Sequence, residues 1–139
     1  MLQQTTTLTF ATPGRGLTDI TQDVQRWAES QGMQAALLTL WLQHTSASLL
    51  VQENADPDVR ADLERYFARL VPDGDPLFEH TTEGPDDMPA HVRTALTTVH
   101  LAIPLVQGRL ALGTWQGLYL WEHRHSGHRR RLVLHLIGE

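Results

Sequence analysis

The chain has no cysteine and no lysine among its 139 residues. The absence of cysteine excludes disulfides, thiolate nucleophiles and iron–sulfur clusters held by protein thiolates. The absence of lysine excludes a Schiff-base enzyme and a P-loop nucleotide site, which both depend on a lysine ammonium. All 11 basic residues are arginine, so polar chemistry is left to histidine, carboxylates, arginine and hydroxyls.

A long apolar run and a positive net charge are also missing. The longest nearly apolar run covers Ala35 to Leu42, far short of the roughly 20 residues that a membrane helix needs. The first residues, MLQQTTTLTF, have neither the basic nor the apolar region of a signal peptide. The net charge of −5 argues against nucleic-acid binding. With cysteine absent as well, we expect a cytoplasmic protein that binds neither nucleic acid nor membrane.

Hydrophobic periodicity predicts one α+β domain with a mostly antiparallel sheet. A length of 139 residues suits a single core. Two main helices are predicted at 20–32 and 57–71, and a short third helix at 89–98. Strands are predicted at 2–11, 36–42, 48–52, 100–106, 109–114, 117–122 and 130–137. The polar stretch 72–85 is the longest candidate for a functional loop.

Three histidines lie at the edges of these elements and are candidates for metal binding or acid–base chemistry. His44 follows a buried strand and precedes Thr45 and Ser46, whose backbone N–H groups could hold an anion. His80 lies in the polar loop, and His91 lies near a helix N-terminus, where the dipole favours a neutral imidazole. The spacing matches no zinc-finger or HExxH pattern. The alternative interpretation is that these are ordinary solvated histidines.

A second set of polar residues surrounds the predicted strand ends at 52 and 117. Glu53 and Asn54 precede a helix start at which Asp56 is expected to be the cap. Trp115 and Gln116 lie between two glycines, which is unusual in a strand and suggests a bulge. The indole could stack on a flat heterocycle while the amide hydrogen-bonds it. A core tryptophan beside a bulge is the alternative.

The stretch 123–131 contains four arginines interleaved with histidines. Such a cluster could bind a phosphate through charge-assisted hydrogen bonds. The alternative, which we favour for residues 125–130, is a solvated hairpin tip. His135 alternates with leucines and is expected to be an ordinary strand residue.

Several motifs together resemble the YjbQ family. They are HTSAS at 44–48, EN at 53–54, DP at 56–57, EH at 79–80, EGPDDMPAHVR at 83–93, IPLVQGRLALGTWQG at 103–117, WEHR at 121–124 and GHRRRLVLHLIGE at 127–139. The resemblance covers nearly the whole chain. It implies a single α+β domain with a β-sandwich or barrel-like sheet, usually assembled as a homotrimer. It also implies a thiamine-phosphate synthase, a transferase that joins a pyrimidine methyl pyrophosphate to a thiazole phosphate and releases pyrophosphate.

Roles for the site residues are carried over from this resemblance. The catalytic set is His44, Glu53, His91 and Gln116. The set that binds the phosphorylated substrate is Thr45, Ser46, Asn54, Trp115 and Arg131. A divalent metal, zinc or magnesium, would be held by His44, His80 and His91, within one chain or across subunits.

One departure and two alternatives accompany these roles. The family usually has serine where this chain has His100. The alternatives to a synthase are a non-catalytic trimeric protein that binds a phosphometabolite or metal, and a metal-dependent phosphoester hydrolase that uses the same histidines.

Overall fold

The computed structural model covers residues 1–139 and contains eight strands and three helices. In chain order they are β1 (Leu2–Ala11), β2 (Gly16–Asp19), α1 (Thr21–Ser30), β3 (Ala35–Leu42), β4 (Ala47–Glu53), α2 (Pro57–Leu70), α3 (Asp87–Leu96), β5 (His100–Val106), β6 (Arg109–Leu110), β7 (Gln116–Glu122) and β8 (Arg129–Gly138). The predicted α+β class is confirmed.

The strands form two antiparallel sheets that enclose the core. The five-stranded sheet has the order β1-β8-β3-β5-β6, and the three-stranded sheet has the order β2-β7-β4. Leucines on the inner face of β3 and β8, such as Leu38 and Leu136, meet Leu49 and Leu120 of the smaller sheet in one cluster of 17 buried residues. Because side chains alternate between faces, the buried residues on these strands recur at every second position.

Two of the helices cover different parts of this sandwich. α1 contributes Val24 and Ala28 to the core, as its predicted spacing requires. α2 lies against β7 on the outer side of the three-stranded sheet, where Phe67 meets Trp121 edge-on with ring centroids 4.7 Å apart. None of the three helices has the length and hydropathy of a membrane-spanning segment.

Burial on α2 and β3 is lower than the sequence predicts. The helical spacing of Val59, Leu63, Tyr66, Phe67 and Leu70 predicts one buried face on α2, yet Tyr66 and Leu70 are 53% and 52% exposed. The apolar run Ala35 to Leu42 predicts a buried strand, and this is wrong for one face of β3, because Leu37 and Trp41 are 43% and 51% exposed. No helix packs on the outer face of the five-stranded sheet, so β3 is covered on one side alone.

Three element boundaries differ from the predictions. β2 covers Gly16–Asp19, where no strand was predicted, and pairs with β7 through Asp19 opposite Tyr119. β6 ends at Leu110 because a turn follows, in which the backbone N–H of Gln116 donates to the carbonyl of Gly113 at 3.0 Å. α3 begins two residues earlier than predicted, so Asp87 is the first residue of the helix.

Candidate functional site

A cleft of about 670 Å³ lies where β3 leaves the five-stranded sheet and the chain crosses to β4. The crossing loop, residues 43–46, forms one wall, and α3 forms the other. The lining residues used below are Trp41, His44, Ser46, His91 and Arg130. The predicted residues His44, Thr45 and Ser46 of the HTSAS motif therefore line one cleft together with His91.

The cleft ends on a buried ion pair. Arg130 is 4% exposed and Glu122 is fully buried. The arginine Nε donates to Oε1 at 2.8 Å, its Nη2 contacts the other carboxylate oxygen, and Nη2 also donates to the hydroxyl of Ser46 at 3.0 Å. Burial acts to raise the pKa of Glu122, but hydrogen bonds from Arg130 and Thr12 outweigh it and lower the pKa. The carboxylate therefore stays ionised and holds the guanidinium in place.

His44 is held neutral beside this arginine. Its Nε2 accepts the backbone N–H of Arg131 at 2.7 Å, so the ring proton is on Nδ1. That Nδ1 lies 3.4 Å from Nη1 of Arg130. Burial, followed by the charge of Arg130, lowers the pKa of His44 and keeps the ring uncharged. Two donors thus face each other in the cleft, and neither can accept from the other.

Asp87 organises a second group of side chains next to the cleft. Its side chain is 3% exposed. Its Oδ2 lies 2.7 Å from Nε2 of His80 and 3.2 Å from Nε2 of His91, and its Oδ1 accepts from Arg124 at 2.9 Å. Burial acts to raise the pKa of Asp87, but the hydrogen bond from His80 and the charges of His91 and Arg124 outweigh it, so the pKa is lowered.

The ring of His91 lies between two acceptors. Its Nδ1 is 2.9 Å from the carbonyl oxygen of Thr45, which can only accept, so Nδ1 carries a proton. Its Nε2 then faces the carboxylate of Asp87, and this contact is favourable only with a second proton or a cation between the two atoms. One nitrogen from each of His80 and His91 and one oxygen of Asp87 lie within 4.8 Å of one another.

The predicted three-histidine cluster is therefore divided. His80 and His91 share Asp87, whereas His44 is not part of that group and its Nε2 is occupied by a backbone N–H. Asp87 was not among the predicted site residues, because the predicted start of α3 lies two residues too late. Both Asp87 and His91 belong to the observed helix, and their spacing of four residues places them on one helix face.

Arg131 does not line the cleft. Its side chain is exposed, and the neighbouring Arg130 points inward. The interpretation of residues 125–130 as a solvated tip is wrong for Arg130. The alternation along β8 carried the missing signal, since Arg130 has the same parity as the buried Leu132 and Leu134.

The second predicted set lies at the opposite end of the β4–β7 pair. Glu53 pairs with Gln116, whereas Ala47, next to the cleft, pairs with Glu122. Six residues of strand separate these two ends, a span of roughly 20 Å. Within one chain, the two predicted sets therefore do not form a single site.

Side chains at that far end mostly stabilise local turns. Glu53 accepts the backbone N–H groups of Ala55 and Asp56 at 2.9 and 2.7 Å, just before α2. Gln116 accepts the N–H of Gly113 at 2.8 Å, and Asn54 donates to the carbonyl of Thr114 at 3.1 Å. Trp115 is 64% exposed and is not a core residue.

The fold and the cleft define a small α+β sandwich protein with a histidine–arginine cleft at one edge of its sheets. Residues 6–139 match the family model described as UPF0047 protein YjbQ-like, and the chain belongs to this family. The chain is 50% identical over 132 residues to a UPF0047 protein of Synechocystis, covering 95% of this chain and 90% of that protein. It is 45% identical over 134 residues to UPF0047 protein YjbQ of Escherichia coli O157:H7, covering 96% of each.

Solved structures show the same fold. A hypothetical protein of Aeropyrum pernix superposes with a TM-score of 0.89 at 30% identity, over 98% of this chain and 99% of that one. A conserved hypothetical protein of Thermus thermophilus gives a TM-score of 0.79 at 36% identity, over 92% and 97% of the two chains. The family and the fold are thereby established together.

Proposed function

We propose that the chain is an enzyme that acts on a phosphorylated small molecule bound in the histidine–arginine cleft, with a divalent cation at His80, Asp87 and His91. The observation that carries the proposal is that His91 belongs to both features, because it lines the cleft and also contacts Asp87. A phosphate in the cleft would therefore lie next to a cation held by the neighbouring group.

The anion end of the proposal rests on the donor pair. Nδ1 of His44 and Nη1 of Arg130 both carry hydrogens and lie 3.4 Å apart. An oxyanion between them would accept from both, and hydrogen bonds of this kind are strongest when one partner is charged. In this proposal Arg130 takes the phosphate-binding role that the sequence assigned to Arg131.

The cation end rests on the double-acceptor environment of His91. Two imidazoles and one carboxylate suit a borderline cation such as zinc, whereas magnesium prefers oxygen ligands. Of the two metals expected from the sequence, we therefore propose zinc. A bound cation would supply Lewis-acid stabilisation of charge on a phosphate leaving group. Arg124 fixes the orientation of Asp87 by holding its other oxygen.

For the reaction we propose thiamine-phosphate synthesis, as the family resemblance implies. His44 and Arg130 would hold a phosphate, and a cation held by His80, Asp87 and His91 would lie beside the leaving pyrophosphate and offset its charge. The turn residues Glu53 and Gln116 would take no part within the same chain, because they lie at the other end of the sheet. Phosphoester hydrolysis and binding without turnover remain as outcomes of the test.

We also propose that the chain assembles as a homotrimer in the cytoplasm. The complete absence of cysteine supports the compartment. Supporting the assembly, the strands of the five-stranded sheet contain no Asp or Glu, and no helix covers the outer face of this sheet. A sheet face that is not covered by a helix and carries no acidic residue suits contact with further copies.

The metal content of the purified protein tests the cation site. After incubation with zinc and washing, we expect one zinc per wild-type chain. The variants His80→Ala, Asp87→Asn and His91→Ala should each lose it, because each removes one of three ligands. His44→Ala is the matched control and should keep the zinc, since His44 lies outside the group. A wild-type protein without zinc would refute the site.

Turnover by the same proteins tests the reaction. With the pyrimidine pyrophosphate and the thiazole phosphate together, we expect thiamine phosphate and pyrophosphate in equal amounts, with loss of activity in His91→Ala and His44→Ala. Release of phosphate from either substrate alone would identify a hydrolase. Saturable binding of the substrates without any product would identify a binding protein and overturn the enzymatic proposal.

A further inference from the structure

The cleft has two walls of different chemistry. Its lining has a polar part, the donors of His44 and Arg130, which is called the inner wall here, and an apolar part at the end of β3 and the start of β5, formed by Trp41, Leu42 and Val99. Trp41 is 51% exposed although it lines the cleft, so about half of its surface is accessible to a ligand. A ligand held by its phosphate at the inner wall would extend its remaining atoms across this apolar side.

A second ring supports Trp41 from the neighbouring strand. His100 is the direct partner of Trp41 across the β3–β5 pair. The two ring centroids are 6.2 Å apart and the planes are inclined by 31°. Thr98 fixes the histidine, because its hydroxyl lies 3.3 Å from Nδ1 and accepts the backbone N–H of the same residue at 3.2 Å. The serine that the family resemblance leads one to expect here would offer no ring.

We propose that Trp41, positioned by His100, is the ring-binding wall of the cleft and that the ligand is a phosphate ester of a flat heteroaromatic ring. This inference rests on the proposed function, since the phosphate must be held at His44 and Arg130. A flat ring can stack on an open indole face, an interaction that an aliphatic chain cannot replace. Trp115, which the sequence assigned to this role, lies at the far end of β7 and cannot reach the cleft of its own chain.

Calorimetric titration with three probes separates the ring contribution from the phosphate contribution. The probes are inorganic phosphate, glycerol 3-phosphate and pyridoxine 5′-phosphate. We expect the wild type to bind pyridoxine 5′-phosphate roughly tenfold more tightly than glycerol 3-phosphate, which is within the range measured for stacking of one ring on an aromatic side chain. In Trp41→Leu the Kd for pyridoxine 5′-phosphate should rise to that for glycerol 3-phosphate, and the Kd for glycerol 3-phosphate should stay unchanged.

Three further variants complete the design. Trp41→Phe keeps an aromatic plane and should retain most of the ratio, which shows that a loss in Trp41→Leu is not a folding defect. His100→Ser should lower the ratio by a smaller factor, because it removes the support and not the stacking face. Trp115→Leu is the matched control, an exposed tryptophan away from the cleft, and should behave as the wild type.

The outcomes distinguish this inference from the function on which it rests. If the wild type binds glycerol 3-phosphate and pyridoxine 5′-phosphate equally, or if Trp41→Leu keeps the ratio, the ring-binding wall is wrong and the phosphate site stands. If Trp115→Leu binds the two phosphate esters equally, the ring of the ligand is bound by Trp115 at the other end of the sheet, and the assignment to Trp41 is wrong. If no probe binds the wild type, both proposals fail.

Discussion

His123 shows how far a single residue can depart from what its surroundings in the sequence suggest. It lies in a polar, arginine-rich stretch, yet it is fully buried and its ring centroid lies 5.1 Å from that of Trp121. Its Nε2 is 2.8 Å from the hydroxyl of Ser48, while its Nδ1 has no partner. Burial, followed by the charges of Arg93 and Arg15, lowers the pKa of His123 to about 3.

This lowered pKa makes the stability of the protein depend on pH. The unfolded chain takes up a proton on His123 near pH 6.5 and the folded chain only near pH 3. Between these values the unfolded state binds more protons, so the free energy of unfolding falls as the pH falls. The stabilising contribution of a neutral His123 is complete above pH 6.5 and is lost towards pH 3. The contribution of His123 is about 1.4 kcal/mol per pH unit.

Urea unfolding of the wild type and His123→Gln at several values between pH 7 and pH 5 tests this expectation. The variant should show a shallower decline than the wild type, by the contribution of the one histidine. His44 has a pKa lowered in the same direction and should account for part of the slope that remains. Equal slopes in the two proteins would show that His123 is not the residue that titrates.

At the scale of elements, apolar periodicity was sufficient to predict most of the secondary structure. The alternation in β8 and the helical spacing in α1 are produced by burial on one face, which is visible in the sequence. The short β2 was not predictable in this way, because it has no fully buried residue. Its strand conformation depends on pairing with β7, and that partner is about 100 positions away in the sequence.

Arg124 joins two elements that the sequence does not connect. It lies just after β7 and donates to Asp86 at 3.0 Å and to Asp87 at 2.9 Å, at the start of α3. The hydrogen bonds and charge of Asp86 in turn raise the pKa of Arg124. Because Arg124 is 17% exposed and Asp87 is 3% exposed, solvent screens this contact only weakly.

Replacing Arg124 by Gln should therefore destabilise the fold by roughly 3 kcal/mol, because a buried carboxylate loses its guanidinium partner. The free energy of unfolding in urea at pH 7 measures the effect. Arg65→Gln is the matched control, since Arg65 pairs with Asp62 on the exposed surface of α2 and should give no measurable change. Similar stabilities of the two variants would mean that the bridge between β7 and α3 contributes little.

At the scale of the whole molecule, the division of the predicted site into two ends follows from antiparallel geometry. The end of β3 and the start of β4 lie at the same edge of the sandwich, and the end of β4 lies at the other. His44 and Glu53 flank the two ends of β4 and are therefore far apart. Both groups could be predicted from their motifs, but the strand register that separates them depends on pairing between distant segments of the chain.

Whether the two ends of the β4–β7 pair meet in an assembly depends on which surface joins the subunits. The outer face of the five-stranded sheet is the candidate contact, and its apolar part lies away from the cleft at Leu37 and Val106, which are 43% and 55% exposed. Leu37 is four residues before Trp41 on β3, a distance of roughly 13 Å. A contact centred on Leu37 would leave the ring-binding wall open.

Light scattering coupled to size exclusion tests this assembly. We expect the wild type to elute with three times the 15.7 kDa mass of one chain. Leu37→Glu should shift the protein to the monomer, because the interface would have to bury a carboxylate between the apolar Pro104 and Ile137, the direct neighbours of Leu37 in the sheet. Leu77→Glu is the matched control, since Leu77 is 79% exposed in the loop before α3 and should leave the mass unchanged. A monomeric wild type would refute the trimer, whereas a trimeric Leu37→Glu would place the contact on another surface.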